Sequence, residues 1–239
     1  MRRTNNNSNG TSSWKRIIGL LLLAGFLVLA GCSESGEDGD SSIPNSPTEE
    51  DFGAPAETAT AAQNTDPNDA TRQVSVGMFS YYLFGTFVDS WDGETGEWTY
   101  TDDEMEETYT VTVQQTDNTW TWTWDDGTVE FVYTITKESD RRTFTWTENG
   151  NVFIEGTLSF GGRSGSITIY EESDNYESKE YEIAWEAASD PYYITYTSTW
   201  YESGTESSVA TVTTTQDGSA GEWSYDDKTD SSNNDSGSW

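Results

Sequence analysis

The side chains that carry most enzyme chemistry are scarce in this sequence, apart from carboxylates. The 239 residues contain no histidine and one cysteine, Cys32, against 43 aspartate and glutamate residues. Without histidine there is no Ser-His-Asp or Cys-His catalysis, and most zinc and copper sites are excluded. A carboxylate pair of the glycosidase kind remains. Because so many acids allow very many pairs, none is singled out, and we predict a protein that is not an enzyme and needs no cofactor.

Oxygen ligands for calcium are the other chemistry that the acidic residues offer. Three acidic turns are candidates, at residues 89–94, 102–104 and 125–127. None of them has the alternating ligand spacing of an EF-hand loop. We therefore predict no metal site.

Cys32 follows a segment that is typical of bacterial export signals. Four basic residues precede an uncharged apolar run of 14 residues, from Ile17 to Ala30. A run of this length is that of a signal peptide, whereas a membrane-spanning helix needs about 20 residues. We expect residues 1–31 to be removed. Since Cys32 is the only cysteine, the remaining chain has no intramolecular disulfide.

The residues Leu29-Ala30-Gly31-Cys32 resemble the lipobox of bacterial lipoproteins. The resemblance implies that Cys32 becomes a lipidated amino terminus, carrying palmitate or similar chains, and that the membrane is a partner through it. Stable anchoring takes at least two acyl chains, which the multiply acylated cysteine of this family supplies. Ser33, in place of aspartate, resembles the outer-membrane address of such proteins. The expected location is the outer membrane, facing the periplasm or the cell surface.

The charge of the mature chain limits its partners. Without residues 1–31 it has 7 lysine and arginine residues against 43 acidic ones, a formal charge of −36. Such a field repels nucleic acids and anionic lipid head groups, so we expect neither as a partner. Lysine occurs at only four positions, 15, 137, 179 and 228, and this bias resembles that of proteins from salt-loving organisms.

The period of the apolar residues predicts the fold. From Glu97 onward they alternate with polar residues, as in Thr119 to Trp124, where tryptophan and threonine take turns. This period places apolar side chains on one face of an antiparallel sheet and threonine with glutamate on the other. Turn sequences such as Asn149-Gly150 and Ser203-Gly204 connect neighbouring strands. We predict an all-β fold, an antiparallel up-and-down meander of nine or ten strands that forms a barrel, a half-barrel or a strongly curved sheet.

The chain divides into four parts by composition. We predict a signal peptide at 1–31, an acidic disordered tether at 32–71, the β-meander domain at 72–227 and a disordered tail at 228–239. Residues 74–88 are the most apolar part of the mature chain. Their aromatic and β-branched content favours a strand, while their length favours a helix packed on the sheet, and we prefer the helix.

The aromatic face is the first candidate for function. The chain has 11 tryptophan, 13 tyrosine and 9 phenylalanine residues. An interior lined by such rings holds an apolar ligand in lipocalin-like and LolA-like envelope carriers, which this meander resembles in architecture alone; otherwise the rings simply fill the core. The candidate ligand-lining residues are Trp120, Trp122, Trp124, Phe131, Tyr133, Phe144, Trp146 and Trp185.

Carbohydrate binding is the second candidate, since aromatic rings on the outer face would stack on sugars. The aromatics whose side of the sheet the sequence leaves open are Trp98, Tyr100, Tyr193, Tyr201 and Trp223. Taken together, the sequence predicts a non-enzymatic, lipid-anchored envelope lipoprotein with a structural or interaction role. The alternatives are a carrier of an apolar ligand and a glycan-binding module.

The acid excess leads to a prediction about salt. Folding concentrates like charges, and the Debye length falls from about 10 Å at 0.1 M to about 3 Å at 1 M salt. We expect the melting temperature of the mature chain, followed by circular dichroism, to be substantially higher in 2 M than in 0.1 M sodium chloride. A melting temperature that is independent of salt would contradict halophilic adaptation.

Overall fold

The computed structural model describes residues 50–75, 77–78, 95–102, 107–171 and 176–239. Cys32, the predicted signal peptide and the first part of the predicted tether lie outside this range. So do residues 76 and 79–88 of the apolar segment.

The described residues form one antiparallel sheet of twelve strands, in which every strand pairs with its neighbours in sequence. The first and last strands are not paired with each other within the described residues, so the sheet is open. The predicted all-β meander is confirmed, with more strands than the nine or ten expected. The strands are β1 (Gly96–Asp102), β2 (Glu107–Thr116), β3 (Thr119–Asp125), β4 (Glu130–Lys137), β5 (Arg141–Glu148), β6 (Asn151–Ser159), β7 (Gly165–Tyr170), β8 (Lys179–Ala187), β9 (Ile194–Glu202), β10 (Thr205–Thr214), β11 (Gly221–Asp227) and β12 (Asp235–Ser238).

Tight turns fix the register between successive strands. Asn149 and Gly150 have φ angles of 49° and 82°, and Ser203 and Gly204 have 50° and 73°. Two successive residues with positive φ are the signature of the hairpin turn whose twist matches that of the strands. The structure thus places both predicted turns between neighbouring strands, β5 and β6 in one case and β9 and β10 in the other.

The two faces of the sheet differ as the sequence predicts. Burial in β3 alternates, with Trp120, Trp122 and Trp124 buried and the threonines between them half-buried. We call the buried side the inner face and the other side the outer face. Threonines pair across strands on the outer face, where the hydroxyls of Thr119 and Thr136 are 3.1 Å apart.

Among the described residues, two helices cover the inner face. Helix α1 spans Glu50–Thr65, and α2 comprises residues 69–75 and 77–78. Ala56, Ala59 and Ala62 lie three residues apart on α1 and are buried, and the Tyr196 hydroxyl donates a hydrogen bond of 2.7 Å to the Pro55 carbonyl. The helices also bind each other, since the Ser75 hydroxyl donates to the Ala59 carbonyl at 2.7 Å.

The prediction of a disordered tether is therefore wrong for residues 50–71. The buried face of α1 consists of alanines, whose small side chains allow close contact with the sheet but leave no period of large apolar residues in the sequence. The preferred helix for residues 74–88 is seen where that segment is described, at 74–75 and 77–78, and Val74 and Met78 are part of the core.

The prediction of a disordered tail is also wrong. A short 3-10 helix spans Ser231–Asn233, and β12 pairs with β11. The Trp239 indole donates a hydrogen bond of 2.8 Å to the Gly218 carbonyl. Its ring lies so close to Gly221 that a Cβ added there would be 2.2 Å from it.

Among the described residues, no helix is long and apolar enough to cross a membrane.

Removal of the Trp239 ring tests this arrangement. We expect Trp239→Ala to lower the free energy of unfolding by about 1–3 kcal/mol, because it removes apolar contact and one hydrogen bond. Ser238→Ala, at an exposed neighbouring position, should change it by less than about 0.5 kcal/mol. Urea unfolding followed by tryptophan fluorescence measures both values. Equal, negligible effects would show that the tail does not pack on the sheet.

Candidate functional site

The eight candidate ligand-lining aromatics lie together on the inner face. Their exposed fractions are between 1% and 6%. Across strands, the ring centroids of Trp122 and Tyr133 are 5.5 Å apart, and those of Tyr133 and Trp146 are 5.8 Å apart. These are contact distances between aromatic rings. The neighbours of these residues are thus one another and the helices, within one hydrophobic core.

Individual members of this group are held in place by polar contacts and burial. The Trp185 indole donates a hydrogen bond of 2.9 Å to the Gly162 carbonyl, and its ring lies against Gly165. Burial raises the pKa of the Tyr133 phenol well above its usual value, so that this side chain remains neutral. Their role in ligand binding stays a prediction, because the structure gives them the contacts that a packed core requires.

A groove of about 760 Å³ lies between α2 and the last two strands. It is open to solvent, unlike the aromatic core, and it combines aromatic, amide and charged side chains. We call it the α2–β11 groove. Its lining residues are Asn68, Asp69, Ala70, Arg72, Gln73, Trp223, Tyr225, Asp227, Asn233 and Asp235.

Trp223 and Tyr225 provide the aromatic part of the α2–β11 groove. They occupy alternate positions of β11 and pair with Val212 and Ala210, which are buried on the inner face. Alternate residues of a strand point to the same side and are separated by about 7 Å. Both side chains are partly buried and pack against the core, so the two rings line the groove side by side.

Helix α2 provides the opposite wall. The Asn68 side chain accepts a hydrogen bond of 3.0 Å from the Thr71 backbone N–H at the start of the helix. Arg72 lies 3.8 Å from Asp69 in an exposed ion pair. The side-chain oxygen of Gln73 is buried and has no hydrogen-bond partner among the described residues, which is a costly state for a polar atom.

The loop between β11 and β12 forms the third wall, and Asp227 holds it together. One carboxylate oxygen accepts hydrogen bonds from the backbone N–H groups of Thr229 at 2.8 Å and Asp230 at 2.9 Å. The other accepts from the Asn233 amide at 2.9 Å. These hydrogen bonds hold the pKa of Asp227 well below its usual value, and the one from Asn233 contributes most. Asp227 is therefore ionised at neutral pH, with its oxygens engaged by its own loop.

The five aromatics considered for glycan binding are not brought together. Trp223, whose side the sequence left open, lies in the α2–β11 groove on the inner face. Tyr201 is on the outer face with its ring near Lys179, and the Arg163 guanidinium covers Tyr193 at 4.7 Å. The side chains of Trp98 and Tyr100 lie outside the described residues.

Sequence reasoning did not identify Gln73, Arg72 or Tyr225. Arg72 and Gln73 directly follow the predicted tether, residues 32–71, and no local pattern marks them. The alternation of Trp223 and Tyr225 on one strand was a usable signal, since it places two rings on the same face. Nothing in the local sequence links them to Gln73, which is 150 residues away.

Several ionisable groups outside the groove make contacts within the fold. In the turn at 125–127, Asp125 accepts from the Gly127 N–H at 2.7 Å and Asp126 from the Val129 N–H at 2.6 Å. Tyr170 donates a hydrogen bond of 2.6 Å to Glu155. Burial is the largest cause that raises the pKa of Tyr170, to about 12, and this hydrogen bond is the next. The described residues contain no group of three or more side chains suited to hold a metal ion.

Comparison with known proteins gives no family for the chain. No protein-family model, curated protein or solved structure matches it.

Proposed function

We propose that the protein is a non-enzymatic, lipid-anchored lipoprotein of the outer membrane whose folded domain acts by binding another molecule. The observation that carries this proposal is the division of the domain into a packed interior and an open groove. The aromatic face is in contact with itself and with two helices, whereas the α2–β11 groove presents rings and polar groups to solvent.

The lipobox-like sequence supports the anchor. Residues 33–49 separate Cys32 from α1, and 17 residues span at most about 60 Å when fully extended. An anchored domain would thus remain close to the membrane. Its strong negative charge would be repelled by anionic head groups, which favours partners other than the lipid surface.

A carrier of an apolar ligand is the second candidate, and the contact between helices and sheet favours it. Helix α1 meets the inner face through alanines and the Tyr196 hydroxyl, and α2 meets it through Val74 and Met78. Small side chains bury little apolar area, so an apolar ligand that displaced the helices would find the aromatic face beneath them.

Metabolic labelling tests the anchor. We expect cells that express the full-length chain with labelled palmitate to incorporate the label into the protein, because acylation of Cys32 adds these chains. Cys32→Ala should abolish incorporation and release the protein from the membrane fraction, whereas Ser33→Ala should retain the label. Incorporation into the Cys32→Ala variant would contradict lipidation at this residue.

A further inference from the structure

We propose that the α2–β11 groove binds a chain of uncharged sugars, with Trp223 and Tyr225 as stacking surfaces and Gln73 as a hydrogen-bond acceptor. The inference rests on the proposed binding role of the domain and names the ligand class of that role. It depends on the geometry of the groove and not on the lipid anchor.

The charge of the protein selects against anionic ligands. The mature chain carries a formal charge of −36, and Asp69, Asp227 and Asp235 line the groove itself. Among the lining residues, Arg72 carries the positive charge, and it forms an ion pair with Asp69. Phosphate-bearing and acidic ligands would be repelled, so the aromatic rings are not suited to stack on nucleic-acid bases.

The carboxylates do not call for a cationic ligand, because most of their oxygens are already engaged. Asp227 accepts from its own loop through both oxygens, and Asp235 accepts from the Ser236 N–H at 2.8 Å. Asp69 is paired with Arg72. The carboxylates of the groove are thus engaged mainly by the protein itself.

The spacing and shape of the aromatic pair suit a chain of flat, uncharged rings. Trp223 and Tyr225 present two surfaces about 7 Å apart along the strand. Sugar rings have apolar C–H faces, which pack on aromatic rings by burial of apolar area, and edges lined with hydroxyl groups. Two adjacent units of an oligosaccharide would cover the two rings, with their hydroxyl edges directed toward the polar walls.

Gln73 supplies the specific polar contact. Its side-chain oxygen is buried without a partner among the described residues, although buried polar atoms nearly always have one. An amide oxygen accepts a hydrogen bond from a hydroxyl group without requiring charge. The atom is closed to solvent in the free protein, so a sugar hydroxyl would satisfy it once the Gln73 side chain, which lines the groove, turns toward the ligand.

The walls are held in place before any ligand arrives. The Asp227 carboxylate accepts four hydrogen bonds from its loop, and Trp239 fixes the end of β12 to Gly218. Gly218 in turn lies directly against Ala61 and Ala62 of α1. A preorganised site loses less conformational entropy on binding, which suits weakly interacting neutral ligands.

Isothermal titration on the full-length protein, purified from membranes in a detergent without a sugar head group, tests the inference. The probes are three uncharged hexasaccharides, of β-1,4-linked glucose, α-1,4-linked glucose and β-1,4-linked N-acetylglucosamine, together with hexagalacturonate and hexalysine. We expect at least one uncharged probe to bind and the anionic probe not to bind. Trp223→Ala and Tyr225→Ala should each weaken binding at least tenfold. Tyr201→Ala, on the outer face, should leave binding within twofold.

Gln73→Met separates a ligand contact from a structural role. It keeps the size of the side chain and removes the unpartnered oxygen, so we expect the melting temperature to rise and the affinity to fall at least tenfold. If Trp223→Ala does not fold, the affinity of Gln73→Met for the sugar probes tests the site in its place. A lower melting temperature with unchanged affinity would show that Gln73 is structural and would overturn its assigned role.

Three results would overturn the inference. They are the absence of binding to all uncharged probes, binding that Trp223→Ala and Tyr225→Ala leave unchanged, and binding of hexalysine at the groove, which would assign it to a basic peptide. None of these results affects palmitate labelling of Cys32, so failure of the sugar site and failure of the anchor are distinguishable.

Discussion

The need to cover one aromatic face governs the structure. A strand period of two places tryptophan, tyrosine and phenylalanine on the inner side of a twelve-stranded sheet, and each such ring buries roughly 150–250 Å². The chain has no second cysteine and hence no intramolecular disulfide. Apolar burial must therefore hold the domain together, and α1 and α2 complete that burial. The position of the helices also creates the α2–β11 groove, since α2 forms one of its walls.

The distribution of charge complements this interior. Most of the polar side chains of the strands are on the outer face, where threonines pair across strands, as Thr195 and Thr213 do at 3.0 Å. The acidic residues of the turns bind backbone N–H groups of their own loops, as Asp126 and Asp227 do. The same carboxylates thus serve local structure while their sum repels anionic partners. A neutral ligand meets no electrostatic repulsion from such a surface.

The sequence predicts the sheet well because its signals are local. Alternation in β3 and the positive-φ turn at Asn149-Gly150 depend on neighbouring residues, and both are found as expected. The helix α1 was missed because its buried residues are alanines, and the ordered tail because Trp239 binds Gly218, outside the local pattern. The groove was missed for a related reason. It joins Gln73 to Trp223 through the fold, and no pattern within a strand or a helix indicates such a contact.

The aromatic face is a packed interior covered by the protein's own helices, and on this view ligands bind elsewhere. Native mass spectrometry of the full-length protein, released from its detergent, together with solvent extraction of the purified sample, tests it most directly. We expect the mass of the acylated chain alone, with no further apolar molecule in the extract. A stoichiometric, extractable lipid besides the acyl chains of Cys32 would contradict this account and would make the aromatic face the lining of a carrier pocket.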